Sequence, residues 1–257
     1  MAWLSENGID IHYELLGEGF PVLLFAPGGM RSEAAFWQNS PWDPRVALAP
    51  EFQMIAMDQR NAGQSFAPIT ALDNWDTYTD DHLRLLDALS IDQCHLVGGC
   101  IGGAFAFNLM ARAPDRVAAA VIQQTIGFDQ NRDVFYAMFD GWAVDQQAAR
   151  PELAQAILDQ FRANLYDHDA VFSVSYDVIA GLPHPLLILK GDDQYHPATV
   201  SNRIEAIATH SRLIEDWKSD GAKTALDAKA FLMTHTPNGD RKSTRLNSSH
   251  QIISYAV

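Results

Sequence analysis

One cysteine in the sequence lies in a run of glycines that can present it as a nucleophile. The run reads VGGCIGG from Val97 to Gly103, so Gly98 and Gly102 each stand two positions from Cys100. An apolar segment precedes it and a helix-like segment follows. A nucleophile on a sharp strand-to-helix turn has a strained backbone, and only small neighbours avoid a clash. The pattern favours a nucleophilic thiol; the alternative is a small cysteine buried where the backbone is crowded.

The elements around this turn follow a regular order. One segment, IDIHYELLG, alternates in polarity and predicts a half-buried antiparallel strand. Continuous apolar runs typical of parallel strands buried on both faces follow, namely FPVLLFAPGG, FQMIAMDQRNAGQS, CHLVGG, RVAAAVIQQT and HPLLILKGDD. Helical patterns lie between them, which predicts a doubly wound α/β domain with a mostly parallel sheet. Ligands bind such sheets beyond the carboxyl ends of the strands, where Cys100 is placed.

One long segment, residues 127–182, interrupts the alternation. It has a helical pattern without a strand-like run, and an insertion of this size indicates a helical cap over residues 127–182 rather than a loop. The core is then formed by residues 1–126 and 183–239. The segment is rich in aromatic residues, namely Phe135, Tyr136, Phe139, Trp142, Phe161, Tyr166 and Phe172. Most should pack within the cap, and some should face the cleft beneath it, which suggests a substrate with an apolar group.

Three of the turns that follow predicted strands carry distinctive motifs: APGGM from Ala26, DQRNAGQS from Asp58 and GGCIGG from Gly98. In this order they resemble the motifs of the α/β-hydrolase family, and the likeness covers nearly all of residues 8–235. Pro27 stands where the family commonly has a histidine, and Asn61 where it usually has glycine. Cys100 replaces the family's serine, as in dienelactone-hydrolase-like members. The resemblance implies that the cap is inserted between the sixth and seventh strands of the family pattern.

The resemblance also implies how the thiol would work. A thiol at a helix N-terminus faces the positive end of the helix dipole and free backbone N–H groups, which lowers its pKa. The N–H of Ile101 and that of Gly29, which aligns with the family's second donor, would hold an oxyanion.

The candidate acid lies in the segment LLILKGDDQYHP, where the family has a strand, a glycine, an acid and a proline. Asp193 aligns with the family's catalytic carboxylate. Asp192 is a neighbouring alternative, and Asp129, after the preceding strand, is a more distant one. Asp193 can also cap the helix that follows, and that role does not exclude catalysis.

The histidine that the family places after its last strand is missing. The last strand is SRLIEDW, and Trp217 and Lys218 stand where the histidine is expected. His196, three residues after Asp193, lies on a loop at the correct edge of the sheet and is the candidate substitute base, with Lys218 second. The alternative for His196 is that the His-Pro pair only shapes the turn. A cysteine depends less on a base than a serine does, because a thiol is already partly ionised at neutral pH.

The composition restricts the other classes of function. A formal charge of −14 argues against nucleic acid or an anionic membrane as a partner. Cys94 and Cys100 are too far apart to pair if they share a strand, and free thiols without a signal peptide indicate the cytoplasm. No metal or cofactor is expected, and the oligomeric state stays open. Residues 240–257 resemble a translated sequencing adapter and are excluded from the fold.

The leading hypothesis is a hydrolase that acts on a small ester, lactone or thioester. Cys100 would attack the carbonyl, and Asp193 with His196 would assist water in the second step. Two alternatives stay open: a non-catalytic ligand-binding or sensor protein on the same fold, and a non-hydrolytic lyase or acyltransferase.

Overall fold

An eight-stranded sheet organises the chain in the computed structural model, which describes residues 1–237. Its spatial order is β1-β2-β4-β3-β5-β6-β7-β8. The first strand pairs antiparallel with the second and the second antiparallel with the fourth, and all other pairs are parallel. The strands are Ala2–Glu6 (β1), Ile9–Leu16 (β2), Phe20–Phe25 (β3), Phe52–Met57 (β4), Cys94–Gly99 (β5), Val117–Gln123 (β6), Leu186–Leu189 (β7) and Ser211–Ile214 (β8). The predicted fold class is confirmed, while β1 was not predicted.

The parallel strands contribute side chains to two cores, one on each face of the sheet. Along β3, Leu23 belongs to one core and Leu24 to the other. Along β5, Leu96 belongs to the same core as Leu23, and Val97 to the same core as Leu24. Burying a side chain of this size stabilises the fold by about 1.5–3 kcal/mol. The continuous apolar runs in the sequence thus reflect strands that are covered on both sides.

The described part of the chain has eight α-helices. Three of them form an insertion between β6 and β7, and the others connect or follow the strands of the sheet. The second begins at a capping box, in which the Asn74 side chain accepts hydrogen bonds from the N–H groups of Asp76 and Thr77. The third begins directly after Cys100, at the carboxyl end of β5. The helices are Pro44–Ala47 (α1), Trp75–Ala88 (α2), Ile101–Arg112 (α3), Arg132–Ala149 (α4), Gln155–Tyr166 (α5), Tyr176–Gly181 (α6), Ala198–Ile207 (α7) and Gly221–Thr234 (α8).

Helices α4, α5 and α6 lie between β6 and β7, within the segment predicted as a cap. No strand interrupts them in this described stretch. Their aromatic side chains pack against one another: the rings of Phe139 and Phe161 meet edge to face at 5.4 Å, and those of Phe135 and Phe172 at 4.6 Å. The helical content is as predicted, and the function of this insertion as a cap stays a prediction.

The predicted adapter-derived tail, residues 240–257, lies outside the described residues. Within residues 1–237, none of the helices combines the length and the apolar character that a membrane span needs.

Candidate active site

Cys100 adopts the strained backbone of a sharp turn between β5 and α3. Its φ is 57° and its ψ is −118°, a conformation that L-residues rarely adopt. Its N–H donates to the carbonyl of Gln123 at 3.0 Å, and its own carbonyl accepts from Gly103 at 3.1 Å and Ile126 at 3.2 Å. These bonds to β6 and to the loop after it hold the residue in a conformation that it would otherwise leave.

Gly98 and Gly102 flank this turn where the backbone leaves no room for a side chain. A Cβ at Gly98 would overlap the carbonyl oxygen of Gly102. A Cβ at Gly102 would overlap the carbonyl oxygen of Phe25, at the end of β3. The spacing of the motif therefore has a steric cause, because strand and helix approach each other through both glycines.

The thiol of Cys100 faces one imidazole and two backbone amides. The residue is partly buried, and the amides are those of Gly28 and Ile101. Burial would raise the pKa of this thiol, but the hydrogen bond and charge of His196, together with the two amides, lower it below its ordinary value. Ile101 was one of the two predicted oxyanion donors. The second amide at the sulfur is that of Gly28, one residue before the predicted Gly29, whose role stays a prediction.

His196 reaches the thiol from the loop between β7 and α7. Its Nδ1 lies 2.8 Å from Oδ2 of Asp193, and the residue is 8% exposed. The other oxygen of Asp193, Oδ1, accepts from the N–H groups of Tyr195 at 2.9 Å and His196 at 3.0 Å. The opposite ring atom, Nε2, is buried and has no hydrogen bond of ordinary geometry to residues 1–237. The imidazole interacts electrostatically with the thiol of Cys100.

The electrostatics of these three residues favour an ion pair. Burial would lower the pKa of His196, but the Cys100 thiol and then the Asp193 carboxylate raise it to about 9. Burial would raise the pKa of Asp193, yet the bonds from His196 and from the backbone lower it. These directions favour a thiolate beside an imidazolium whose Nδ1 is held by a carboxylate.

The other candidate acids and the other candidate base make different contacts. Asp192 pairs with Lys218, so both of these side chains are engaged with each other. Asp129 accepts a hydrogen bond from the hydroxyl of Thr199 at 2.7 Å. Of the three carboxylates considered from the sequence, Asp193 is the one that lies within hydrogen-bond distance of His196.

Trp217 fills the place where the family's histidine was expected. It is 1% exposed, and its Nε1 donates to the carbonyl of Lys190 at 2.8 Å. Its own carbonyl accepts from the hydroxyl of Thr224 at 2.7 Å. Trp217 thus links the end of β7 to α8 through hydrogen bonds and has a packing role.

Several other histidines have partners away from the thiol. The pairs are His12 with Asp58 at 3.0 Å, His82 with Gln59 at 2.8 Å, His95 with Thr236 at 3.0 Å and His184 with the Pro114 carbonyl at 2.8 Å. Within residues 1–237, no group of three or more His, Cys, Asp or Glu side chains is arranged to hold a metal ion.

Comparisons with known proteins agree with this fold. A family model described as alpha/beta hydrolase fold matches residues 21–172. A putative carbamate hydrolase, RutD, from Azorhizobium caulinodans is 35% identical over 123 residues, which are 48% of this chain and 43% of that protein. The chain thus matches less than half the length of that relative. A 2-hydroxymuconate semialdehyde hydrolase from Pseudomonas sp. strain CF600 is 27% identical over 223 residues, 76% of this chain and 77% of that protein.

Solved structures show the same architecture. A meta-cleavage product hydrolase from Pseudomonas fluorescens IP01, in complex with acetates, superposes with a TM-score of 0.68 at 22% identity, covering 92% of this chain and 98% of that chain. An enol-lactonase from Burkholderia xenovorans LB400 gives a TM-score of 0.65 at 19% identity, covering 90% and 100%. At this identity the likeness concerns the fold alone. The sheet order and the sequence match over more than half of the chain together show that the protein belongs to the alpha/beta hydrolase family.

Proposed function

We propose that this protein is a hydrolase that cleaves a small ester, lactone or thioester through the thiol of Cys100. The observation that carries the proposal is a cysteine on a strained turn whose thiol interacts electrostatically with His196, while Nδ1 of His196 lies 2.8 Å from Oδ2 of Asp193. Cys100 is the nucleophile, His196 the acid and base, and Asp193 the group that orients the ring.

In the first step, the thiolate of Cys100 attacks the carbonyl carbon and forms a C–S bond. The carbonyl electron pair moves to the oxygen, and the backbone amides at the turn stabilise the resulting oxyanion. When the oxyanion collapses, the bond to the leaving group breaks, and the imidazolium of His196 gives its proton to the departing alkoxide or thiolate. The product is an acyl-thioester on Cys100 and a neutral imidazole.

In the second step, the neutral His196 takes a proton from water while the water oxygen attacks the thioester carbonyl. The tetrahedral intermediate expels the thiolate of Cys100 and releases the carboxylic acid. The proton stays on the imidazole, where Asp193 stabilises it, so the starting ion pair is restored. Cys100 and His196 thus serve both halves of the cycle, and the scheme uses no metal or cofactor.

The comparisons support hydrolysis as the class of reaction but differ in the bond that is cleaved. The relatives are named as a carbamate hydrolase and a semialdehyde hydrolase. We assign an ester-type bond because attack by a thiolate needs an activated carbonyl with a leaving group that a single imidazolium can protonate. The aromatic side chains of the helical insertion favour a substrate with an apolar group.

The position of His196 weakens the case for a binding protein without catalysis. That alternative was motivated by the missing histidine after the last strand, and here an imidazole contacts the thiol from another loop. An acyltransferase would form the same acyl-thioester and pass it to an acceptor other than water, so analysis of the products separates the two.

The proposal is tested by the turnover of p-nitrophenyl acetate and by acylation of Cys100 detected by mass. We expect the wild type and the matched control Cys94→Ala to turn over the ester and Cys100→Ala to lose both signals. Prior treatment with iodoacetamide should abolish turnover and label Cys100. Equal turnover by Cys100→Ala would refute the proposal.

A further inference from the structure

Tyr166 carries a buried hydroxyl group that has only a weak acceptor. It is the last residue of α5, and it is fully buried. Within residues 1–237 its hydroxyl is hydrogen bonded to the thioether sulfur of Met30 at 3.5 Å. A thioether is a poor acceptor, and leaving a buried hydroxyl poorly paired is destabilising. The hydroxyl is therefore available to a better acceptor.

Aromatic neighbours fix the direction of this hydroxyl. The ring of Tyr166 stacks on Phe135 at 5.5 Å and meets the edge of Phe172 at 5.4 Å. The ring of Trp75, from the first turn of α2, meets that of Tyr166 edge to face, with 6.1 Å between the ring centroids. Contacts of this kind come from both the core and the insertion, and they hold the side chain in one orientation. A hydroxyl held in this way is preorganised as a donor.

The acceptor of this hydroxyl, Met30, lies in the loop that also carries one of the amides at the Cys100 sulfur. Met30 lies in the short 3-10 turn Gly29–Arg31, which directly follows Gly28, and the Gly28 amide faces the sulfur of Cys100. Burial, then Tyr78 and Cys100, raise the pKa of Tyr166 well above its ordinary value, so the phenol stays protonated.

We propose that the hydroxyl of Tyr166 donates a hydrogen bond to the acyl oxygen of the bound substrate, as a third oxyanion donor beside the backbone amides. This inference rests on the proposed thiol hydrolase and adds a catalytic residue to it. When substrate binds, the hydroxyl gives up its hydrogen bond to the Met30 sulfur and donates to the substrate oxygen instead. It transfers no proton. A carbonyl oxygen is a better acceptor than a thioether, and an oxyanion is better still, so the bond strengthens as the reaction proceeds.

The variant Tyr166→Phe tests this role because it removes the hydroxyl and keeps the ring contacts. Loss of one oxyanion donor lowers kcat by about 100-fold to 1,000-fold where two donors act, and we expect roughly tenfold or more here because two amides remain. KM should change little. Both acylation and deacylation should slow, since an oxyanion forms in each. The matched control is Tyr136→Phe, which removes a hydroxyl of α4 that donates to Asp167 instead.

A second measurement uses an aldehyde, which adds to Cys100 and forms a tetrahedral adduct with its oxygen at the oxyanion position. Tyr166→Phe should weaken its binding by about the same factor as kcat, with Tyr136→Phe unchanged. Unchanged kcat and unchanged aldehyde affinity in Tyr166→Phe, with or without a lower Tm, would overturn the inference and leave the Cys100 hydrolase standing. A slower acylation step alone would assign the hydroxyl to the leaving group and would also overturn it. Failure of the wild type to acylate or to bind the aldehyde at Cys100 would refute the proposed function itself.

Discussion

The Nδ1 atom of His196 lies 2.8 Å from Oδ2 of Asp193, and the two residues are three positions apart in one loop. The loop is closed by its own backbone, since the N–H of His196 donates to the carbonyl of Asp193 at 3.1 Å. A Cβ at Gly191 would overlap the carbonyl oxygen of His196, so the loop packs tightly at its entry. The separation of acid and base is therefore set locally, while β7 and α7 fix where the pair stands relative to Cys100.

The two cysteines should differ strongly in their reaction with iodoacetamide. His196 lowers the pKa of Cys100, whereas burial raises the pKa of Cys94 to about 12. Thiolate is the reactive form, so Cys100 should be alkylated at neutral pH and Cys94 should not. Peptide mass analysis of one sample reports both sites, and Cys94 serves as the internal control.

Replacing His196 with glutamine should slow that alkylation. Without the imidazolium the pKa of Cys100 rises, and at a pH below it the thiolate fraction falls about tenfold for each unit. His184→Gln is the control, because its ring contacts the carbonyl of Pro114, in the 3-10 turn that precedes β6. A rate at pH 7 that is the same in His196→Gln and wild type would contradict the ion pair.

The alkaline limb of kcat/KM should depend on Asp193. Leaving-group protonation needs the imidazolium, so activity should fall as the pH rises through the pKa of His196, about 9. Asp193→Asn removes a group that raises this pKa, and the fall should then begin at a lower pH. Asp192→Asn, beside it, is the matched control and should leave the limb in place, since Asp192 pairs with Lys218. A pH profile that is unchanged in Asp193→Asn would count against its orienting role.

Lys218, the other base considered from the sequence, should be dispensable. Its side chain is 38% exposed and its partner Asp192 is 63% exposed, and such surface pairs stabilise by about 0–1 kcal/mol. Lys218→Ala should therefore keep kcat within about twofold and change Tm little. If Lys218→Ala lost most of its kcat while His196→Gln stayed active, Lys218 and not His196 would be the base.

Two glycine-to-alanine substitutions in helices should have opposite effects on stability. At Gly102 the new methyl group meets the backbone of Phe25, so the strand and helix must separate, which should cost about 1–3 kcal/mol or more. At Gly141, within α4, no atom lies within 4 Å of the added Cβ. There alanine should stabilise the helix by up to about 1 kcal/mol. Urea denaturation of both variants compares them directly.

The sequence alone predicted the elements that have a regular pattern. The parallel strands are continuous apolar runs, and the turn at Cys100 is flanked by glycines whose absence of side chains has a steric cause. The strand β1, residues 2–6, was missed because most of its side chains are exposed at the sheet edge and its apolar pattern is weak.

The parts of the site that could not be predicted depend on how loops close. His196 was named as a substitute base, but the direction of its ring follows from hydrogen bonds within residues 193–196. The amide of Gly28 at the sulfur follows from a φ of 124° that the motif does not reveal. Tyr166 was one aromatic among many in the insertion, and its packing between α2 and α4, together with its bond to Met30, distinguishes it.

The proposed proton donor and the carboxylate beside it both lie within residues 191–197, so a single loop carries the pair. Another protein of this architecture would acquire both through a single splice between its seventh strand and the next helix. The connection from β8 to α8, by contrast, supports that loop: Trp217 donates to the carbonyl of Lys190, the residue that precedes it.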